Sequence, residues 1–183
     1  MAEFNQQQYA DILALRSNCV LTEVYPAGLD PDAVMVSVFC SDGHRFDDAY
    51  THKRSVQKCR IHPLSLNGGA QLLSEACPAN HEFPWHRGLP DMIRQSCELK
   101  STNLVALGSH WPCAVAEKFN LSVDDVLVLT LHGRLVLKRQ YPDLEVYTFF
   151  HVVHADGRHR SYTVDHKHPH FANRRLLADL ISA

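Results

Sequence analysis

One stretch of the sequence, residues 34–45, constrains the fold most strongly, because apolar and chemically reactive side chains meet in it. It begins as an almost unbroken apolar run with β-branched residues and ends in the segment Cys-Ser-Asp-Gly-His-Arg. Such a run is typical of a strand buried on both faces of a parallel sheet. Open α/β sheets carry their functional groups just past the carboxyl ends of strands. The stretch therefore predicts a parallel sheet with a candidate site at residues 40–45.

A second stretch, residues 104–119, has the same form. A short buried-strand pattern at 104–108 runs into Ser-His-Trp-Pro-Cys, and a helical pattern follows at 114–119. If the two strands are neighbours, Cys40, His110 and Cys113 meet at one edge of the sheet. Two thiolates and an imidazole form a three-ligand zinc set with a fourth position free for water or an acid. The alternative is that both cysteines are buried core thiols, which are common.

The remaining patterns before residue 120 predict further helices and strands around these two units. Pro63 places one predicted strand at a sheet edge or a bulge, and Pro112 suits the first position of the helix that follows it. The predicted elements are an amphipathic helix within 3–17, a polar helix at 46–57, a strand at 59–66, the start of a helix at 70–76, and a helix at 89–99 with Met92, Ile93 and Cys97 on one face.

The last third of the chain predicts antiparallel structure. The apolar runs 126–131 and 134–137 predict two strands joined by a turn at His132 and Gly133, and a second hairpin is predicted for 145–164. The expected fold class is therefore α/β, with a central, mostly parallel sheet flanked by helices and antiparallel strands added near the C-terminus. We expect one domain over 1–183, comprising an N-terminal helical arm (1–25), an antiparallel extension (126–165) and a C-terminal helix (170–183).

Charge and hydropathy exclude several classes of partner. The net charge of −2 leaves no basic field for nucleic acid or for an anionic membrane. No apolar run reaches the roughly 18–20 residues of a membrane span, and the polar N-terminus lacks the features of a signal peptide. The six scattered cysteines lack the dense spacing of a disulfide scaffold. A cytoplasmic protein is expected.

Three segments together resemble the β-class carbonic anhydrases. They are the Cys-Ser-Asp segment at 40–42, the Asn-Gly-Gly turn at 67–69, and the segment from Leu107 to Cys113. In that family a Cys-x-Asp-x-Arg strand end and a Gly-His-x-x-Cys strand end bind zinc. The resemblance implies that Cys40, His110 and Cys113 are zinc ligands, and that Asp42 orients zinc-bound hydroxide or ligates zinc itself. The implied activity is the reversible hydration of carbon dioxide to bicarbonate, in a homodimer or higher homo-oligomer.

The sequence also departs from the family pattern. Where the family has its arginine this chain has His44, and Arg45 follows one position later. Either could partner Asp42; we favour Arg45, because the charge of a histidine depends on pH. Residue-level alternatives are that Asp42 caps a helix and that Arg45 pairs with a surface aspartate. Ala114 follows Cys113, and Trp111 and Pro112 replace polar residues, which indicates a divergent branch.

Two other functions are compatible with the same residues. One is a non-catalytic structural or regulatory zinc module, and the other is a hydrolase of a related small electrophile such as carbonyl sulfide. A zinc nucleobase deaminase fits poorly, because its Pro-Cys-x-x-Cys motif would need cysteine where Ala116 stands. The histidine-rich run at 166–170 is interpreted as a solvated linker, and His151 and His154 as residues on opposite faces of one strand.

Overall fold

A computed structural model describes residues 5–23, 34–57, 59–172, 174 and 176 of the chain. Six strands form one mixed sheet in the order β1-β6-β5-β4-β2-β3. The strands are β1 (Leu21–Glu23), β2 (Val34–Cys40), β3 (Arg60–Leu66), β4 (Leu104–Trp111), β5 (Glu145–Val153) and β6 (His159–Val164). The four strands β3, β2, β4 and β5 run parallel, and β6 and β1 add antiparallel pairs at one side. The predicted α/β fold class is confirmed.

Helices cover both faces of the sheet. They are α1 (Gln6–Ser17), α2 (Gly43–Gln57), α3 (Leu89–Leu99), α4 (Ala114–Lys118) and α5 (Val123–Gln140). Ala49 of α2 packs with Phe39 and Phe149 on one face. The other four helices contribute to two core clusters on the opposite face. Short 3₁₀ helices at Gly69–Leu73, Pro78–His81, Trp85–Arg87 and Pro169–Phe171 complete the described elements. None of the described helices is long and apolar enough to span a membrane.

The strand hairpin predicted over 126–137 is wrong, because these residues lie in helix α5. The Ser122 side chain accepts a hydrogen bond from the backbone N–H of Asp125, whose carboxylate accepts one from the backbone of Ser122. This capping box starts the helix. Residues 126–133 are all buried, so the helix shows no polar stripe there, and a buried helix cannot be distinguished from a strand by periodicity alone.

Gly133 lies inside α5 for a packing reason and does not form a turn. A Cβ atom added at Gly133 would lie 2.7 Å from Cβ of Leu73 and 3.1 Å from the carbonyl oxygen of Ala70. The missing side chain therefore lets the long helix lie directly on the 3₁₀ helix Gly69–Leu73. The same 3₁₀ helix replaces the regular helix start that the sequence predicts at 70–76.

Several element boundaries differ from those predicted. Strand β4 continues through His110 to Trp111, so His110 lies inside the strand and not in the turn after it. Pro112 precedes the helix, and Cys113 is the N-cap of α4. In α3 the predicted face holds for Ile93 and Cys97, which are buried, but Met92 is 41% exposed.

One edge of the sheet and the hairpin near the other edge follow from the sequence, whereas the edge strand β1 does not. β3 is an edge strand, as Pro63 predicts, and the hairpin predicted for 145–164 is confirmed as β5 and β6. The predicted N-terminal arm contains α1, which is capped by Asn5, and also β1 at the other edge. Most of the C-terminal helix predicted for 170–183 lies outside the described residues.

Candidate metal centre

Three side chains converge at the carboxyl edge of the parallel strands. Cys40 is the last residue of β2, His110 lies near the end of β4, and Cys113 follows β4. Their three ligand atoms all lie within 4.8 Å of one another. Each of these residues is at most 4% exposed. The structure therefore brings together the three residues that the sequence predicts as ligands.

The convergence follows from strand pairing. β2 and β4 are parallel neighbours, with Val38 opposite Leu107. The ring of His110 packs against Phe39, with ring centroids 5.6 Å apart, on the face that α2 covers. Cys40 belongs to the core cluster on the opposite face. Residues from the two faces can meet at this point because β2 ends there.

The imidazole of His110 is held in an orientation suited to a metal. Its Nδ1 atom lies 2.8 Å from the carbonyl oxygen of Pro112. A carbonyl can only accept a hydrogen bond, so Nδ1 carries a proton, and Nε2 is the nitrogen that the neutral ring would offer to a metal. The Nε2 atom is buried and has no hydrogen-bond partner in the structure. A histidine whose other nitrogen donates to a carbonyl is the usual arrangement of a metal ligand.

The pKa values of the two cysteines are shifted in opposite directions, so Cys40 loses its proton more readily than Cys113 does. The Cys113 thiol donates a hydrogen bond to Cys40 and holds the pKa of Cys40 down to about 4, against the opposing effect of burial. The Cys40 thiolate in turn raises the pKa of Cys113 above its ordinary value, and burial raises it further. The pair therefore carries one thiolate and one thiol at neutral pH. A bound dication would displace the remaining proton, because thiolates are the ligand form.

The Asn-Gly-Gly turn presses its backbone against Cys40. The backbone N–H of Gly68 donates to Sγ of Cys40 at 3.3 Å. Gly69 has a φ of +61°, and a Cβ atom there would lie 2.6 Å from the backbone nitrogen of Cys40. Glycine is required at this position both for the left-handed backbone and for the close approach. The turn thus supplies a donor that stabilises the thiolate.

The donor set fits zinc. Two sulfur atoms and one imidazole nitrogen match the soft and borderline ligands that Zn²⁺ takes in proteins. The buried Nε2 of His110 has no hydrogen-bond partner and lies on a residue grouped with both thiols, so a metal bound to the three would satisfy it.

Asp42 lies at the start of α2. Its Oδ1 atom accepts a hydrogen bond from the backbone N–H of His44 at 3.2 Å, and its carbonyl accepts from Arg45 and Phe46. This is the geometry of the helix cap that the sequence offers as an alternative. Within the described part of the chain, Asp42 is not in the group of ligand atoms that contains Cys40.

Arg45 and His44 lie beside a different feature. Both line an open pocket of about 330 Å³ together with Gly43, Asp47, Asp48 and His159. No ion pair joins Arg45 to Asp42 among the described residues, and Asp48 pairs with His159 at 2.5 Å. Apart from the backbone N–H of His44, neither candidate partner therefore bonds the Asp42 carboxylate in this conformation, and neither does so through its side chain.

Sequence reasoning missed a second group of ligand-type side chains next to the first. His151 lies opposite His110 in the pairing of β5 with β4, and it forms a group with Asp48 and His159. Burial, followed by the charges of His110 and His159, lowers the pKa of His151 to about 3. The signal in the sequence was the hairpin turn at 156–157, which brings His151 and His159 to the same face of two paired strands.

No protein-family model matches the sequence, and no curated protein matches it. Among solved structures, the chain is similar to the β-carbonic anhydrase isoform I of the protozoan Trichomonas vaginalis. The sequence identity is 12%, the TM-score is 0.41, and the alignment covers 90% of this chain and 99% of that one. A proposal of function therefore depends on the geometry of the site.

Proposed function

We propose that this protein binds Zn²⁺ through Cys40, His110 and Cys113 and catalyses the reversible hydration of carbon dioxide to bicarbonate. The observation that carries the proposal is the convergence of one ligand atom from each of the three residues within 4.8 Å, at a histidine whose Nε2 has no partner. Three protein ligands are the number found in catalytic zinc sites, whereas structural sites usually have four. The position at the carboxyl edge of parallel strands also favours catalysis.

The chemistry of the proposal is simple. A zinc ion bound here would lower the pKa of a water molecule from 15.7 toward about 7 and so supply a hydroxide nucleophile near neutral pH. The chain holds His110 through the carbonyl of Pro112 and Cys40 through the amide of Gly68. The two thiolates add negative charge to the site and oppose ionisation of the water. We therefore expect an alkaline optimum.

Asp42 is the residue that we propose for orienting the attacking group. Its carboxylate would accept the hydrogen of that group and fix the direction of its lone pair. To do so the side chain must turn away from the backbone N–H of His44, to which it is bonded. Arg45 is the proposed partner, because its backbone already bonds the carbonyl of Asp42 at 3.0 Å and a guanidinium stays charged at every working pH. His44 is the alternative partner.

A non-catalytic zinc module is the second candidate. It is favoured by the burial of all three ligands and by the helix-capping position of Asp42. In that case the ion would tie the ends of β2 and β4 to the start of α4, and a fourth ligand would close the site. The resulting protein would bind zinc stoichiometrically without hydrating carbon dioxide.

The test is stopped-flow carbon dioxide hydration by zinc-loaded protein between about pH 7 and 9. We expect rapid hydration that rises with pH and is lost in Cys113→Ala. Cys97→Ala is the matched control, because Cys97 is also a buried thiol but belongs to α3 and a different core cluster. Stoichiometric zinc without hydration would reject carbon dioxide as substrate and leave the structural module or another electrophile, such as carbonyl sulfide. Absence of zinc in the wild type would reject the metal centre itself.

A further inference from the structure

A second group of three ligand-type side chains lies at the same edge of the sheet. Asp48 of α2, His151 of β5 and His159 of β6 each offer one ligand atom, and these atoms lie within 4.8 Å of one another. His151 pairs with Ser161 across the hairpin, so His159 is its diagonal neighbour on the same face. α2 covers that face and contributes Asp48 from above.

His151 has a nitrogen atom that the protein does not use. It is 1% exposed, and its Nδ1 atom lies 3.0 Å from Oγ of Ser161. Its Nε2 atom is buried and has no hydrogen-bond partner in the structure. A buried polar atom without a partner lowers the stability of the fold, and a bound ligand would remove that cost. With the Nδ1 proton donated to Ser161, the lone pair of Nε2 is available to a ligand.

The other two members are accessible from solvent. Nδ1 of His159 and Oδ2 of Asp48 lie 2.5 Å apart, and their side chains are 39% and 35% exposed. Both line the open pocket of about 330 Å³ that also contains Arg45. Two ligands of one tetrahedral ion stand about 3.3 Å apart, so the pair must open by roughly 1 Å. Exposed side chains permit that movement.

We propose that Asp48, His151 and His159 form a second metal site, for a divalent first-row transition ion such as Zn²⁺. Imidazole nitrogens select such ions, whereas Mg²⁺ and Ca²⁺ prefer sites made only of oxygen atoms. Binding is weaker than at the cysteines, because this site offers a single carboxylate charge and faces the cationic Arg45. The proposal does not depend on the function proposed above, since no ligand is shared between the two sites.

Another pair in the same protein provides a matched control. Nε2 of His170 lies 2.5 Å from Oδ1 of Asp124, and both side chains are partly exposed. At this pair the third residue is Arg174, which forms an ion pair with Asp124 and cannot bind a metal. The proposed site has a third ligand, His151, in its place. Both places therefore have a histidine–aspartate pair, but only the proposed site adds a buried histidine whose Nε2 has no partner.

The experiment counts zinc ions per chain after metal-free protein has been loaded with Zn²⁺ and desalted. We expect two ions in the wild type and in His170→Ala, and one ion in His159→Ala and in Asp48→Ala. These two variants alter partly exposed side chains, so circular dichroism should show that they fold. Retention of both ions in His159→Ala, or loss of an equal amount in His170→Ala, would overturn the proposal.

Cobalt separates the two sites spectroscopically. Co²⁺ bound to thiolates gives charge-transfer absorption in the near ultraviolet, whereas Co²⁺ bound to imidazole and carboxylate does not. Cys113→Ala should lose that absorption and still bind one Co²⁺, which the further change His159→Ala removes. A Cys113→Ala variant that binds no ion would reject the second site. The opposite outcome is a wild type that binds one ion dependent on His159 and shows no thiolate absorption. That result would reject the cysteine site and support the second site.

Discussion

At the scale of single residues, Gly69 fixes the distance between the Asn-Gly-Gly turn and Cys40. Its φ of +61° and the 2.6 Å approach to the backbone of Cys40 leave no room for a side chain. Gly157 is a matched position, since its φ is +78° but nothing lies within 4 Å of its missing side chain. Alanine at Gly157 should cost only the left-handed strain of about 1–2 kcal/mol.

Gly69→Ala should therefore lower the free energy of unfolding by more than Gly157→Ala does. It should also weaken zinc binding, because Cys40 must shift. Urea unfolding and a competitive zinc titration measure the two effects. Equal effects of the two substitutions on both quantities would show that the contact with Cys40 is not needed.

The charge of Asp42 can be separated from its role as a helix cap. Asparagine caps a helix as well as aspartate does, so Asp42→Asn should leave the melting temperature nearly unchanged. Under the proposed function it should lower kcat/KM for carbon dioxide hydration on the order of 100-fold. An unchanged kcat/KM would assign Asp42 to the helix cap alone.

The cysteine site was predictable at this scale because two strand ends carry reactive residues, and neighbouring parallel strands bring such ends together. The group around His151 was not predicted, because its members come from a helix, a strand and the return strand of a hairpin. Only the pairing register shows that His159 faces His151. The orientation of Asp42 toward the backbone of His44 depends on where α2 begins, which is three residues earlier than predicted.

At the scale of elements, Gly133 determines how closely α5 approaches the 3₁₀ helix Gly69–Leu73. Alanine is a better helix former than glycine by about 1 kcal/mol. At Gly133, however, its Cβ atom would lie 2.7 Å from Leu73, and overpacking of this kind costs about 1–3 kcal/mol.

We therefore expect Gly133→Ala to destabilise the protein in thermal and urea unfolding. Gly43→Ala is the control, because Gly43 begins α2 and has nothing within 4 Å of its missing side chain. That substitution should be neutral or slightly stabilising. A stabilising Gly133→Ala would mean that the two helices are less tightly packed than described.

The sequence predicted elements best where exposed positions or a turn signal mark their limits. α3 and the β5–β6 hairpin, which have exposed positions, were found with almost correct limits. The sequence predicts a hairpin where α5 lies, because residues 126–133 are buried on all sides and show no helical periodicity. The capping signal at Ser122 was present, but it gave no information on how far the helix continues.

At the scale of the whole molecule, buried histidines make stability depend on pH. Burial lowers the pKa values of His132, His154 and His166 below the ordinary value. The unfolded chain takes up protons near pH 6.5, whereas the folded protein resists them. Because the unfolded state then binds more protons, stability is complete above about pH 6.5 and is lost as the pH falls below it.

Urea unfolding between pH 8 and 5 should show this loss. His132→Leu removes one of the groups and should reduce the dependence on pH, whereas His81→Leu, at an exposed position, should leave it unchanged. Equal pH dependence in the wild type and in His132→Leu would show that His132 titrates alike in both states.

The homo-oligomer implied by the family resemblance stays a prediction at this scale. Light scattering on the purified protein at several concentrations would give its mass. We expect at least twice the mass of 20.7 kDa calculated for one chain. A single-chain mass at every concentration would contradict the dimer and require that each proposed site be complete within one chain.

The pairing of β1 with β6 has a consequence for the order in which the sheet assembles while the chain is being synthesised. Leu21 lies opposite Val164, so about 140 residues must leave the ribosome before β1 meets its partner. Until then the first strand waits as an unpaired edge, and Thr22 and Glu23 give that edge the polar character that discourages pairing with other nascent chains. Closing so long a loop is slow compared with forming the βαβ units that lie between β1 and β6 in the chain. The sheet is thus completed by its earliest-made strand.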